Sequence, residues 1–141
     1  MKRLRAYTLA ELMIVVLIIG VISSIAVPNL IRAGLKGKES ALKADLKLYR
    51  AAVEMFRTDT GAYPAAIADL AATTAPGSGK DVNGAAKAIT ATDWKGPYVP
   101  SVDNDPVSGN VLTYSVATGA VGRITSSAPG TALDGTAYST W

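Results

Sequence analysis

The stretch YTLAELMIVVLIIGVISSIAVPNL, Tyr7–Leu30, decides how the rest of the chain is read. Between Tyr7 and Val27 the only charged side chain is Glu11. As a helix this run spans roughly 30 Å, one bilayer core. Lys2, Arg3 and Arg5 precede it and favour a cytoplasmic N-terminus. A cleaved secretory signal has a shorter apolar core followed by a small-x-small site. Here Pro28-Asn29-Leu30 and then a long helical pattern follow, which suits a retained segment. A simple signal anchor fits the apolar length but accounts for neither Glu11 nor Pro28. A carboxylate deep in a bilayer costs about 2.5–3.5 kcal/mol, and less near the interface, where it reaches water by snorkelling. A cation about 4 Å away supplies around 4 kcal/mol at an effective dielectric of about 20. The run holds no Lys or Arg, so beside the snorkelling reading stands a second one. In it, the partner is a new amino terminus made by a cut before Tyr7. Pro28 removes the donor for the Ser24 carbonyl and imposes a kink on any helix through it. Gly20 and Ser24 form a small-xxx-small pair, which lets helices approach closely.

Composition narrows the rest. The 141 residues are read as one domain. With no cysteine and no histidine there is no disulfide framework, no thiolate, and no imidazole for zinc or for acid–base work. The net charge of +3 does not indicate a nucleic-acid partner. It belongs to Lys2, Arg3 and Arg5, without which basic and acidic residues are equal in number. Residues 32–57 carry a balance of +4 and residues 58–141 one of −3, so the head is acidic, which disfavours a DNA-uptake receptor. In a staggered assembly, a basic helix beside acidic heads attracts its neighbours.

From Asn29 to about Thr58 the pattern is amphipathic. Leu42, Leu46, Tyr49, Val53 and Phe56 recur at steps of three and four, with Lys43, Lys47, Arg50, Glu54 and Arg57 on other faces. Gly61 is placed to cap the helix, giving one helix of about 50 residues, roughly 75 Å long. Gly34 and Gly37 weaken it by about 1 kcal/mol each. Beyond it the reading is a short helix at Ile67–Leu70, a surface loop over residues 73–93, and strands at Val111–Val116 and Ala120–Ser126 around an Ala117-Thr118-Gly119 turn. Leu112, Tyr114, Val116 and Ile124 would face the helix stripe, and Tyr138 and Trp141 would fold back onto the head. Gly77-Ser78-Gly79-Lys80-Asp81 fails as a phosphate loop, because Thr74 replaces the first glycine and Asp81 the magnesium-binding hydroxyl. Nucleotide binding is therefore rejected.

The stretch from Lys2 to Val16 resembles the class III leader of type IV pilins and type II secretion pseudopilins. That family usually has Gly before the cut and Phe after it; here Ala6 and Tyr7 stand there. The resemblance implies an α+β pilin-like fold, with a long N-terminal helix on a small antiparallel sheet. It divides the chain into a leader at 1–6, a transmembrane and filament-core helix at 7–28, and a globular head at 29–141. It implies cleavage between Ala6 and Tyr7, N-methylation of Tyr7, and a filament contact from Glu11 to the Tyr7 amine of a neighbour. The family also places a proline at Pro28, and a bend or melted turn is expected around Ser23–Pro28 in the assembled state. Trp94-Lys95-Gly96-Pro97-Tyr98, with Tyr63-Pro64 before it and Asp105-Pro106, Gly109 and Tyr114 after it, is similar in order to major pseudopilins of type II secretion. Those proteins bind calcium in C-terminal loops. The implied oxygens here are Asp103, Asn104, Asp105 and Asp134, against the alternative that Asp103-Asn104-Asp105-Pro106 is merely a turn.

The resemblance implies a non-enzymatic structural subunit of a type II secretion pseudopilus, with the major pilin of a type IV pilus (motility, adhesion, DNA uptake) as the alternative. The implied partners are copies of itself, a prepilin peptidase, an assembly ATPase with its inner-membrane platform, and minor pilins or pseudopilins. Membrane lipid surrounds the helix before assembly. The implied location is the bacterial inner membrane, single-pass with a cytoplasmic N-terminus, and then a periplasmic or cell-surface filament.

Overall fold

The computed structural model describes residues 7–141. The contacts divide the chain into two compact units, one ending at Gly37 and one spanning Lys38–Trp141. Helix α1, Leu9–Thr60, contributes to both. In the first unit its side chains lie open almost without exception, and the membrane-length apolar window of α1 has none of its residues buried. The helix continues through Pro28, and the Ser24 hydroxyl donates to the Val21 carbonyl at 2.7 Å. That hydroxyl therefore does not replace the donor that Pro28 withholds from the Ser24 carbonyl.

In the second unit α1 carries the expected stripe. Leu42, Leu46, Tyr49, Val53 and Phe56 are each at most 2% exposed. Ala52 joins them, and they pack with Ile67, Leu70, Ile89, Val99, Leu112, Ile124 and Tyr138. Each large side chain buried this way contributes about 1.5–3 kcal/mol, which is what holds the loop-rich head to the helix. Gly61 ends α1 in the left-handed region, φ 67°, where a side chain would be strained, and its amide bonds the Arg57 carbonyl at 2.8 Å. Lys87 Nζ donates to the Gly61 carbonyl at 2.6 Å. A 3-10 turn follows at Ile67–Ala71, where the sequence predicts a short helix.

The segment 73–93 is more ordered than the surface loop expected of it. Strand β1, Ser78–Lys80, pairs antiparallel with β2, Ala86–Ala88, in the register Ser78↔Ala88 and Lys80↔Ala86. The hairpin is closed by the Asp81 carboxylate, which accepts from the amides of Asn83 and Ala85. Tyr63 extends it, exchanging two backbone hydrogen bonds with Lys80 at 2.7 and 2.8 Å. The rejected phosphate-loop string is thus strand backbone with its amide at Lys80 already bonded.

The second sheet is shorter than expected. Strands β3, Thr113–Tyr114, and β4, Ile124–Thr125, pair antiparallel, with Tyr114 opposite Ile124. Leu112 and Ile124 are buried and Tyr114 is half-buried, its hydroxyl donating to the Pro64 carbonyl at 2.7 Å. Val116 does not join that face and is 38% exposed. The connection turns at Ala117-Thr118-Gly119 as read, the Ala120 amide bonding the Ala117 carbonyl at 2.9 Å, and outside that turn the Gly122 amide bonds the Ser115 carbonyl at 2.9 Å. Gly122 sits at φ 81°, and a Cβ there would run into the Tyr63 ring. Segment 127–141 folds back as expected: Tyr138 is buried and Trp141 stacks edge-on against it, with ring centroids 5.2 Å apart.

Candidate functional site

Two places were singled out by the sequence: the start of α1 and the loops of the head. At the helix start, Thr8 is the N-cap and Glu11 stands three residues on. The Thr8 amide donates to Glu11 Oε2 at 3.0 Å, the Thr8 hydroxyl reaches the same oxygen at 3.2 Å, and the Glu11 amide donates to Thr8 Oγ1 at 3.2 Å. This is a reciprocal capping box. Its signature, Thr8-x-x-Glu11 before an apolar run, stands in the sequence and marks Thr8 as well as Glu11. The box uses Oε2, and among the described residues Oε1 accepts no hydrogen bond. Glu11 is also well placed as an acid in the first helical turn, where the helix dipole favours negative charge. Tyr7 lies beside it, 78% exposed. Ala6 and the rest of the leader, residues 1–6, fall outside the described residues.

In the head, the acids expected to converge are held apart by their own partners. Asp105 is fully buried. Its Oδ1 accepts from the amides of Val107 at 2.8 Å and Ser108 at 3.2 Å. Its Oδ2 accepts from the Ser126 hydroxyl at 2.5 Å and the Ser127 amide at 3.1 Å. Burial alone pushes this carboxyl up, but the hydrogen bonds, led by that from Ser126, outweigh it and hold the group below the usual carboxylate range. Asp103 is exposed and takes the Ser101 hydroxyl at 3.1 Å, and its amide donates to the Tyr49 hydroxyl at 2.8 Å. Asp134 accepts from the amide and hydroxyl of Thr136 and faces Lys43 Nζ at 3.5 Å. Asn104 is exposed. Among the described residues no group of three or more His, Cys, Asp or Glu side chains is gathered to hold a metal ion. The donor set read from the sequence therefore does not fit a calcium ion as the chain is folded here.

The string Trp94–Tyr98 serves packing. Tyr98 tilts against Phe56 at 5.4 Å and meets Trp94 edge-on at 6.4 Å. Its hydroxyl donates to Asp59 at 2.9 Å, and the amides of Tyr98 and Val99 both bond the Leu70 carbonyl. The motif thus fastens the head to the end of α1 and the 3-10 turn.

Glu39 was not anticipated. It is a buried acid on α1, 7% exposed, whose Oε1 accepts the Tyr138 hydroxyl at 2.7 Å and the Leu133 amide at 2.9 Å. One turn on, Lys43 lies over the Trp141 ring, 4.0 Å from its centroid, and the Trp141 indole N–H donates to Thr136 Oγ1 at 2.7 Å. These contacts clamp segment 131–141 to the helix.

Comparison with known proteins gives two family matches. The model described as "Type II secretion system (T2SS), protein G" matches residues 29–132, and the "Prokaryotic N-terminal methylation motif" matches residues 1–27. The chain is similar to the type II secretion system core protein G of Escherichia coli K12, 33% identical over 67% of this chain and 70% of the relative. It is similar to that of Pseudomonas aeruginosa, 30% identical over 65% of this chain and 69% of the relative. For the core protein G of Klebsiella pneumoniae the match, 38% identical, spans 45% of this chain and under half of the relative, 46%. A match to the type IV major pilin protein PilA of Myxococcus xanthus, 43% identical, covers 43% of this chain and 28% of the relative. No solved structure matches the chain.

Proposed function

This chain belongs to the type II secretion system protein G family, and we propose that it is the major structural subunit of a secretion pseudopilus. The observation that carries this reading is the apolar half of α1, long enough to cross a bilayer and with none of its apolar window buried, joined to a head that folds on the other half. So much open apolar surface needs lipid or sister helices around it. The head-bearing half of α1 supports the same reading. Ala41, Ala44, Leu48, Ala51 and Met55 recur at alternating steps of three and four, the spacing that receives another helix, and Leu48 and Met55 are more than half exposed.

The mechanism follows from these parts. The subunit waits in the inner membrane with the apolar half of α1 in lipid and its N-terminus in the cytoplasm. A prepilin peptidase cuts between Ala6 and Tyr7 and the new Tyr7 amine is methylated. The subunit then exchanges lipid for contact with its copies, and Glu11 receives the amine of a neighbouring Tyr7. The chain has no nucleotide-binding loop, so an assembly ATPase acting through a membrane platform supplies the work. Minor pseudopilins are the further expected partners. Pro28 lets α1 bend or lose a turn around Ser23–Pro28 on entering the filament.

Intact-mass measurement of the protein from its host tests this together with electron microscopy. The expected product starts at Tyr7, carries one methyl group and is recovered in filaments; a product that starts at Met1, or one that stays monomeric when overproduced, overturns the reading. The match to a type IV pilin favours one alternative, a long surface pilus. Deleting the gene distinguishes the two: loss of secretion with sheared surface fibres unchanged supports the pseudopilus, and loss of the fibres with secretion unchanged supports the pilus.

A further inference from the structure

We infer that the head of this protein is closed by an internal carboxylate, Asp105, and not by a metal ion, and that its folding is indifferent to calcium. This concerns the head's own stability and holds for a pseudopilus or a surface pilus alike.

The Asp105 side chain joins two segments far apart in the chain. Its Oδ1 gathers the amides of Val107 and Ser108 in its own loop, and its Oδ2 gathers the Ser126 hydroxyl and Ser127 amide just beyond β4. The same loop is pinned at its base: the Asp105 amide bonds the Asn110 carbonyl at 2.8 Å, and the Gly109 amide bonds the Asp105 carbonyl at 2.7 Å. Ser108 and Ser127 add a hydroxyl–hydroxyl bond at 2.8 Å. A carboxylate offers about four acceptor positions, and here four donors occupy them. A bound calcium would need six to eight oxygens at about 2.3–2.6 Å, and taking Asp105 as a ligand would strand buried amides without acceptors. The other acids do not help. Asp134 sits against the Lys43 ammonium, which repels a second cation, and Asp103 points to Ser101 at the surface. The buried charge needs no cation because neutral donors aimed at both oxygens stabilise the anion.

The test uses the full chain in detergent. Both tryptophans, Trp94 and Trp141, lie in the head, so their fluorescence on heating reports its unfolding. The expected result is one melting temperature, within about 1 °C, in millimolar calcium and in excess chelator. A site of micromolar affinity would instead raise it by more than about 10 °C. Asp105→Asn keeps the shape but turns part of the acceptor set into donors facing donors. It is expected to lower the melting temperature by about 10 °C, equally with and without calcium. Ser126→Ala is expected to lower it by roughly half as much. Should Asp105→Asn fail to fold, the wild-type comparison and Ser126→Ala still decide. Calcium stabilisation of the wild type that Asp103→Asn or Asp134→Asn abolishes would overturn the inference, as would an unchanged melting temperature for Ser126→Ala.

Discussion

Replacing Glu11 by glutamine keeps the reach and one acceptor oxygen that close the box with Thr8, while removing the charge. Glutamine serves at this position of a capping box as glutamate does, so the Thr8 amide keeps an acceptor at about 3.0 Å. Thr8→Ala does the opposite: it removes the side-chain cap and leaves the acid. A lost cap costs about 1 kcal/mol, roughly fivefold in an equilibrium. The pairing of Glu11 with a neighbour's amine is worth on the order of 4 kcal/mol at about 4 Å and an effective dielectric of about 20, roughly a thousandfold. Glu11 Oε1, which accepts no hydrogen bond among the described residues, is the oxygen available for that pairing. With each variant as the sole copy in its host, filaments are measured in sheared or periplasmic fractions and the membrane pool by immunoblot, after intact mass confirms the cut before Tyr7. Glu11→Gln is expected to be processed and inserted but to leave essentially no filament, and Thr8→Ala to lower filament yield only severalfold. Wild-type filament levels in Glu11→Gln would refute the charge-pairing argument. Filament loss in Thr8→Ala with Glu11→Gln unaffected would show that the cap, and not the charge, is what assembly requires.

Two further outcomes concern the head. Tyr138, pushed up to about 12 first by burial and then by the bond to Glu39 and its charge, is expected to ionise well after an ordinary tyrosine in an alkaline absorbance titration. Because its folded value lies above the unfolded value near 10, the stability it contributes is full below about pH 10 and is lost as the pH rises through about 12. Tyr138→Phe strands one acceptor position of Glu39 and is expected to lower the melting temperature by about 8 °C; a loss under 1 °C would mean that the clamp on α1 does not hold segment 131–141. Asp45 is displaced upward, by burial first and then by the charges of Asp103 and Asp105. Its ionised form is therefore disfavoured by the fold, so its contribution is favourable at low pH and is lost as the pH rises through its raised value. Asp45→Asn is expected to raise the melting temperature at neutral pH by about 2 °C, and a fall would refute that sign.

What the residues determine alone is whatever repeats locally. The apolar run fixes a membrane-length helix because nothing between Tyr7 and Val27 but Glu11 opposes it. The three-and-four spacing from Leu42 to Phe56 fixes which face of α1 is buried, and Gly61 fixes where it stops. The capping box at Thr8 and Glu11 was equally local, and only its spacing had to be noticed. The hairpin of β1 and β2 had no such mark, since SGK and AKA carry no β-branched or aromatic residue. It exists because Tyr63 and the Asp81 turn supply hydrogen-bond partners from outside the strands. Asp105 and Glu39 were undecidable for a related reason. A lone Asp-Pro reads as a turn or a ligand, and a glutamate on a helix reads as solvated. Their partners, Ser126, Ser127, Leu133 and Tyr138, lie 21 to 99 residues away and are in part backbone amides, which every residue type but proline offers. Tertiary structure decided those two acids, because burial leaves a carboxylate only the donors that folding brings to it.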